Sequence, residues 1–144
     1  GKLLNVYCAS PGGGKYMAIL QCKKAVHTDE GKQRQAALLA FSAFPELKHV
    51  ILVDEDVDIF DTNDVLWAMN TRFQGDRDII TIPGVRCHPL DPSSCPEYTG
   101  SIRDVGCSTK TIFDCTVPFE LKEKFKRAAF QEVDVKHWLP DFEL

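Results

Sequence analysis

His49-Val50-Ile51-Leu52-Val53-Asp54 is an aliphatic run of strand length with no polar position in its interior. Such a run is expected where a sheet is covered on both faces, as in α/β folds. Immediately upstream, Gly31 to Phe44 is rich in Ala, Leu, Gln and Lys and stops at Pro45. Thr28-Asp29-Glu30 offers this helix an acidic start, and Ala36, Ala40 and Ala43 share a face with Leu39 at helical spacing. Further upstream, Asn5 to Ala9 and Tyr16 to Cys22 read as strands joined by the turn Ser10-Pro11-Gly12-Gly13-Gly14. Downstream, Asp61 is a good N-cap with Asp64 in the first turn, and Val65, Leu66, Met69 and Phe73 recur at helical spacing up to Gly75. Asp78-Ile79-Ile80-Thr81-Ile82 is a further buried-type strand, stopped by Pro83-Gly84. Strand, helix, strand, helix, strand with short links predicts an α/β fold, here a layered α/β/α domain with a mostly buried sheet. Residues 1–144 are read as one domain.

From Arg86 to Val117 the pattern dissolves among Pro89, Pro92, Pro96, Gly100 and Gly106. A long irregular stretch inside a domain is usually functional or lies against something else. Pro118 to Phe130 reads as a last amphipathic helix with Leu121, Phe125, Ala128 and Ala129 inward. Residues 130–144 read as a docking tail, because His137-Trp138-Leu139-Pro140-Asp141-Phe142 is apolar but too short to pack alone.

The 144 residues carry 17 Lys+Arg against 21 Asp+Glu, a net charge of −4. That balance argues against a nucleic-acid footprint and an anionic-membrane binder. No apolar run reaches membrane-spanning length. Six cysteines without C-x-x-C spacing, and no secretion signal, read as reduced and mostly buried thiols of a cytoplasmic protein.

The densest polar feature is Asp54-Glu55-Asp56-Val57-Asp58 with Asp61 and Asp64. Its readings are helix capping with ion pairs, an interdomain contact, or oxygen ligation of Mg²⁺ or Ca²⁺. EF-hand spacing is not met, and Arg72, Arg77 and Arg86 are candidate partners for the acids. Pro11-Gly12-Gly13-Gly14-Lys15 fails as a phosphate loop, because Tyr16 follows the lysine and a strand follows the loop. His88 lies in the loop after a strand, where α/β domains place ligand contacts. No nucleophile, base and orienting group stand at recognisable spacing, so no self-contained catalytic set is read from the residues.

Val50 to Asp58, Asp61, and Asn63-Asp64-Val65-Leu66-Trp67-Ala68-Met69-Asn70-Thr71-Arg72 together resemble the C-terminal part of UbiD-family decarboxylases. Lys23-Lys24, ending the second strand, fits the same pattern. Gly106 to Thr116, containing Lys110 and Asp114, is similar to the family's G-S-K-x-G-x-D-A-T stretch, with Cys107 and Thr109 intruding around the usual Ser-Lys pair and Cys115 where Ala is common. The resemblance implies a longer enzyme that moves CO₂ on aromatic or phenolic acids with prenylated FMN and a divalent metal. It places the flavin and the catalytic Glu-Arg-Glu set in a region absent here. This chain would then bind no cofactor or metal and hold no catalytic residue. It implies a domain that closes over the active site and helps form a homo-oligomer. His88 and Leu90 would wall the substrate pocket. Asp54, Glu55, Asp56, Asp58, Asp61, Trp67, Arg72, Lys110 and Asp114 would serve structural or interdomain contacts. Phe125, Trp138, Leu139 and Phe142 are the candidate partner interface. The rival reading is a stand-alone, non-catalytic binding module using the acidic cluster or the tail.

Overall fold

The run at 49–54 becomes the middle strand of a five-stranded mixed sheet. The computed structural model describes residues 1–94, 106–129 and 137. Its strands are β1 (Lys2–Cys8), β2 (Met17–Lys23), β3 (His49–Asp54), β4 (Ile79–Arg86) and β5 (Cys107–Asp114), with helices α1 (Lys32–Ala43) and α2 (Thr62–Arg72). The spatial order is β1-β2-β3-β5-β4. β2, β3 and β5 run parallel, and the two edge strands run antiparallel to them.

Alternation along the inner strands splits the core in two. Ala18, Leu20, Val50, Leu52 and Ile112 face α1 and meet Ala37 and Phe41. Ile19, Ile51 and Val53 face α2 and meet Val65 and Ala68. The sheet is therefore sandwiched between helices, the layered α/β/α arrangement. Val50, Leu52 and Val53 are fully buried, as a strand covered on both faces requires. Asp61 caps α2, its side chain accepting from the Asn63 N–H at 2.9 Å. Asp61→Ala should cost about 1 kcal/mol, measured by urea unfolding.

Four readings need correction. The face of α1 that packs on the sheet is Gln33, Ala37 and Phe41, whereas Leu39 is 70% exposed. Pro83-Gly84 does not end β4: the register shifts between Ile82 and Val85, with Gly84 at φ 68°, and the strand continues to Arg86. Pro83 is tolerated because β4 is an edge strand. A whole strand, β5, lies in the stretch read as patternless. Its buried positions include Lys110, Thr111 and Asp114, so no apolar run marked it. Finally, within the helix read from Pro118 to Phe130, the described residues to 129 form only a six-residue 3₁₀ turn, Phe119–Lys124, with Leu121, Phe125, Ala128 and Ala129 exposed rather than inward. Trp138, Leu139 and Phe142 lie outside the described residues.

Candidate functional site

Because β4 is antiparallel, the loop after it emerges at the N-terminal end of the parallel strands, not at their C-terminal end. The β1–β2 turn opens at this same end. There the glycines are conformationally required. A Cβ on Gly12 would sit 2.7 Å from Met17 atoms, and Gly13 and Gly14 take φ 62° and 69°. This tight path delivers Lys15 and Tyr16 to His88.

The His88 imidazole is specified on both edges. Nδ1 accepts from the Leu90 N–H at 3.0 Å and lies 3.4 Å from the Tyr16 hydroxyl. Nε2 lies 3.4 Å from Glu46 Oε1 and 3.5 Å from Lys15 Nζ. With Nδ1 accepting a backbone N–H, the proton belongs on Nε2 in the neutral ring. Tyr16 meets His88 edge-on at 5.8 Å between centroids. Burial, with the Asp91 and Glu46 carboxylates, raises the Tyr16 pKa. Beside the cluster, Lys48 binds Asp91 at 3.0 Å. Leu90 is 74% exposed and forms an apolar lip. The arrangement can donate hydrogen bonds from imidazole, ammonium and phenol toward an oxygen-bearing ligand. Of its members, only His88 and Leu90 were legible; Lys15 was discounted with the phosphate loop, and Glu46 carried no signal.

The acidic cluster sits at the opposite end of the sheet and is consumed by cations. Arg72, its side chain 2% exposed, reaches Asp54 at 3.1 Å and grips Asp56 through two bonds of 2.9 and 2.6 Å. Asp54 also accepts the Val117 N–H at 2.7 Å. Burial raises its pKa against the pull of that N–H and of Arg72, Lys24 and Lys122. Glu55 holds Lys122 at 2.9 Å, and Asp64 pairs with Arg127. Trp67 carries the guanidiniums of Arg127 at 3.9 Å and Arg72 at 4.9 Å. Asp58 accepts the Phe60 N–H at 2.9 Å, and its own N–H donates to Asp64. Of the three predicted arginines only Arg72 meets the cluster: Arg77 pairs with Asp76, and Arg86 ends β4 opposite Cys107. Lys122 and Arg127 were missed because they arrive from a remote segment.

Two further predicted residues are buried on the α1 side. Lys110 donates to the carbonyls of Pro45 and Leu47 and lies over the Phe41 ring at 5.2 Å, and burial lowers its pKa. Asp114 accepts from Arg34 at 2.6 Å and from Gln33 and Thr116. A cleft of about 300 Å³ separates the acidic turn from the 117–127 segment. Among the described residues, no three His, Cys, Asp or Glu side chains converge to hold a metal. The acids that border this cleft already hold cations, so the residues present do not fit a resident metal.

The five described cysteines are free thiols. Burial pushes Cys22 up to about 11 and Cys115 up to about 12, from 9.0. Both folded values lie above the unfolded one. Their stabilisation is therefore complete below pH 9 and is lost as pH rises through 11 to 12. Thermal melts should fall above about pH 9, and Cys115→Ala should make that fall shallower.

A mixed sheet between α1 and α2, with a donor-rich cluster at one end and an ion-paired end opposite, defines an α/β domain. Residues 2–115 match the model of the 3-octaprenyl-4-hydroxybenzoate carboxy-lyase C-terminal domain, and the chain belongs to that family. It is 61% identical over 134 residues to gallate decarboxylase of Lactiplantibacillus plantarum, covering 92% of this chain and 27% of that protein. It superposes on apo 3,4-dihydroxybenzoic acid decarboxylase of Klebsiella pneumoniae with a TM-score of 0.84 and 60% identity, over 97% of this chain and 29% of that one. The UbiD-class enzyme HmfF of Pelotomaculum thermopropionicum, solved with FMN, gives 0.75 and 33% over 88% of this chain and 26% of that one. The chain thus spans about a quarter of the length of the proteins it matches. No helix among the described residues is long and apolar enough to cross a membrane.

Proposed function

We propose that this chain is the active-site-covering domain of a non-oxidative decarboxylase acting on ring-hydroxylated aromatic acids. The observation that carries this is the His88–Lys15–Tyr16 donor cluster, in a chain 61% identical to a gallate decarboxylase. The decarboxylation chemistry, with its prenylated FMN and divalent metal, belongs to the enzyme region outside this chain. This domain's own work is orientation and exclusion of water. In the proposed role, His88 offers its Nε2–H to a ring hydroxyl, and Lys15 stabilises that oxygen as it gains negative charge. Leu90 covers the ring, and closure strengthens each of these contacts by expelling water. The enzyme is proposed to be a cytoplasmic homo-oligomer, with Phe125 and the tail as its interface.

The test is CO₂ release by the complete, flavin-loaded enzyme. Gallate and 3,4-dihydroxybenzoate should be turned over, and benzoate much more slowly. A flavin-loaded enzyme that ignores every hydroxylated benzoate would overturn the reading.

A further inference from the structure

Among the described residues, the buried charges Lys24, Asp29, Asp54, Asp91 and Asp114 each lie beside an opposite charge. Lys110 is as buried, at 3% exposure, yet has no ion pair among them. Its ammonium donates to the carbonyls of Pro45, at 2.7 Å, and Leu47, and lies over the Phe41 ring. Burying a lysine without a counter-ion is costly, and a methionine would fill the same space without that desolvation. The ammonium is therefore explained by what it holds. It holds the corner between α1 and β3, gripping the chain on both sides of Glu46. That corner is where the His88 cluster is assembled. Glu46 Oε1 reaches His88 Nε2 at 3.4 Å, and Lys48 reaches Asp91 at 3.0 Å. The Lys48 and His49 N–H groups both donate to the Tyr16 carbonyl, at 2.8 and 2.9 Å. One corner thus braces both the turn that carries Tyr16 and the loop that carries His88.

We propose that Lys110 is a positioning residue for the His88 cluster: it fixes the 45–49 corner from within the core, and the corner sets Glu46 against His88, Lys48 against Asp91, and the backbone of Tyr16. The backbone next to Lys110 closes on the same corner, since the Thr111 N–H donates to the Lys48 carbonyl at 2.9 Å. A cation past the last residue of α1 also favours the negative end of that helix. This one is aimed at the two carbonyls that bracket Glu46, so its position serves the corner as well as the helix. The contacts it supports are long, 3.4 to 3.5 Å around His88, and a shift of about 1 Å would break them. The proposal deepens the functional reading and rests on it for the role of His88, but its geometry stands apart from any substrate.

The test uses Lys110→Met in the complete enzyme. Amide hydrogen exchange, read by peptide mass, should quicken about 10-fold or more in peptides covering 45–49 and 86–91 and stay unchanged in α2. Exchange unchanged in both peptides, or quickened equally in α2, would overturn the proposal. With flavin loaded, Lys110→Met should lower kcat/KM on 3,4-dihydroxybenzoate about 10-fold. In a His88→Ala background it should cost no more than about 2-fold, because a residue acting through His88 has nothing left to position. Equal losses in the two backgrounds would reduce Lys110 to a support of the fold and overturn the proposal. Lys110→Gln keeps N–H donors for the carbonyls without the charge, so each effect should be smaller, and it carries the same comparisons if the methionine variant does not fold. The exchange readout needs no turnover. An enzyme inactive on every hydroxybenzoate, yet loosened by Lys110→Met at 45–49 and 86–91 alone, would fail only the functional reading.

Discussion

Replacing Arg72 with methionine is expected to destabilise the protein by about 3–5 kcal/mol in urea unfolding. The guanidinium is 2% exposed and lies between Asp54, itself 5% exposed at the side chain, and Asp56. Removing it leaves the Asp54 carboxylate buried with only the Val117 N–H on its paired oxygen. The other oxygen, Oδ1, has no hydrogen-bond partner among the described residues. An uncompensated buried charge costs more than the pair contributes, so the double variant Arg72→Met with Asp54→Leu should recover much of the loss. Arg127→Met, at the exposed rim of the same network, should cost under about 1 kcal/mol. Equal effects for Arg72→Met and Arg127→Met would show that burial does not set the strength of this network.

His88→Ala in the complete enzyme is expected to lower kcat/KM on 3,4-dihydroxybenzoate by about 10–100-fold, or about 1.4–2.8 kcal/mol. That is the scale of a hydrogen bond lost to an oxygen carrying negative charge. The loss should shrink on a substrate lacking the contacted hydroxyl. His88→Asn should recover part of it, because an amide N–H can replace Nε2–H. A uniform loss on all substrates would mean that His88 only braces the loop, through its bonds to Leu90 and Tyr16.

The fold was readable where hydrophobicity and periodicity agreed. Val50 to Val53 announced a buried central strand, and Asp61 announced the start of α2. β5 was hidden because a central strand here buries Lys110, Thr111 and Asp114, each made affordable by partners that local sequence does not display. The 118–129 stretch misled in the opposite way: its apolar residues recur at helical spacing, yet the chain forms only the short 3₁₀ turn Phe119–Lys124 and is held by ion pairs from Lys122 and Arg127. Arg72 was visible as a partner for the acids because it sits one helix away. Lys15, Tyr16 and Glu46 come to His88 from two other loops, one 72 residues distant for Tyr16. No local pattern carries that meeting, since it depends on β4 running antiparallel.

The most direct test of the central claim is a paired assay on 3,4-dihydroxybenzoate. Residues 1–144 alone and the complete enzyme would each be expressed where prenylated FMN is made, then followed by CO₂ release and flavin absorbance. The complete enzyme should retain flavin and release CO₂, and residues 1–144 alone should do neither. Sustained decarboxylation by residues 1–144 alone would contradict the assignment of this chain as a covering domain.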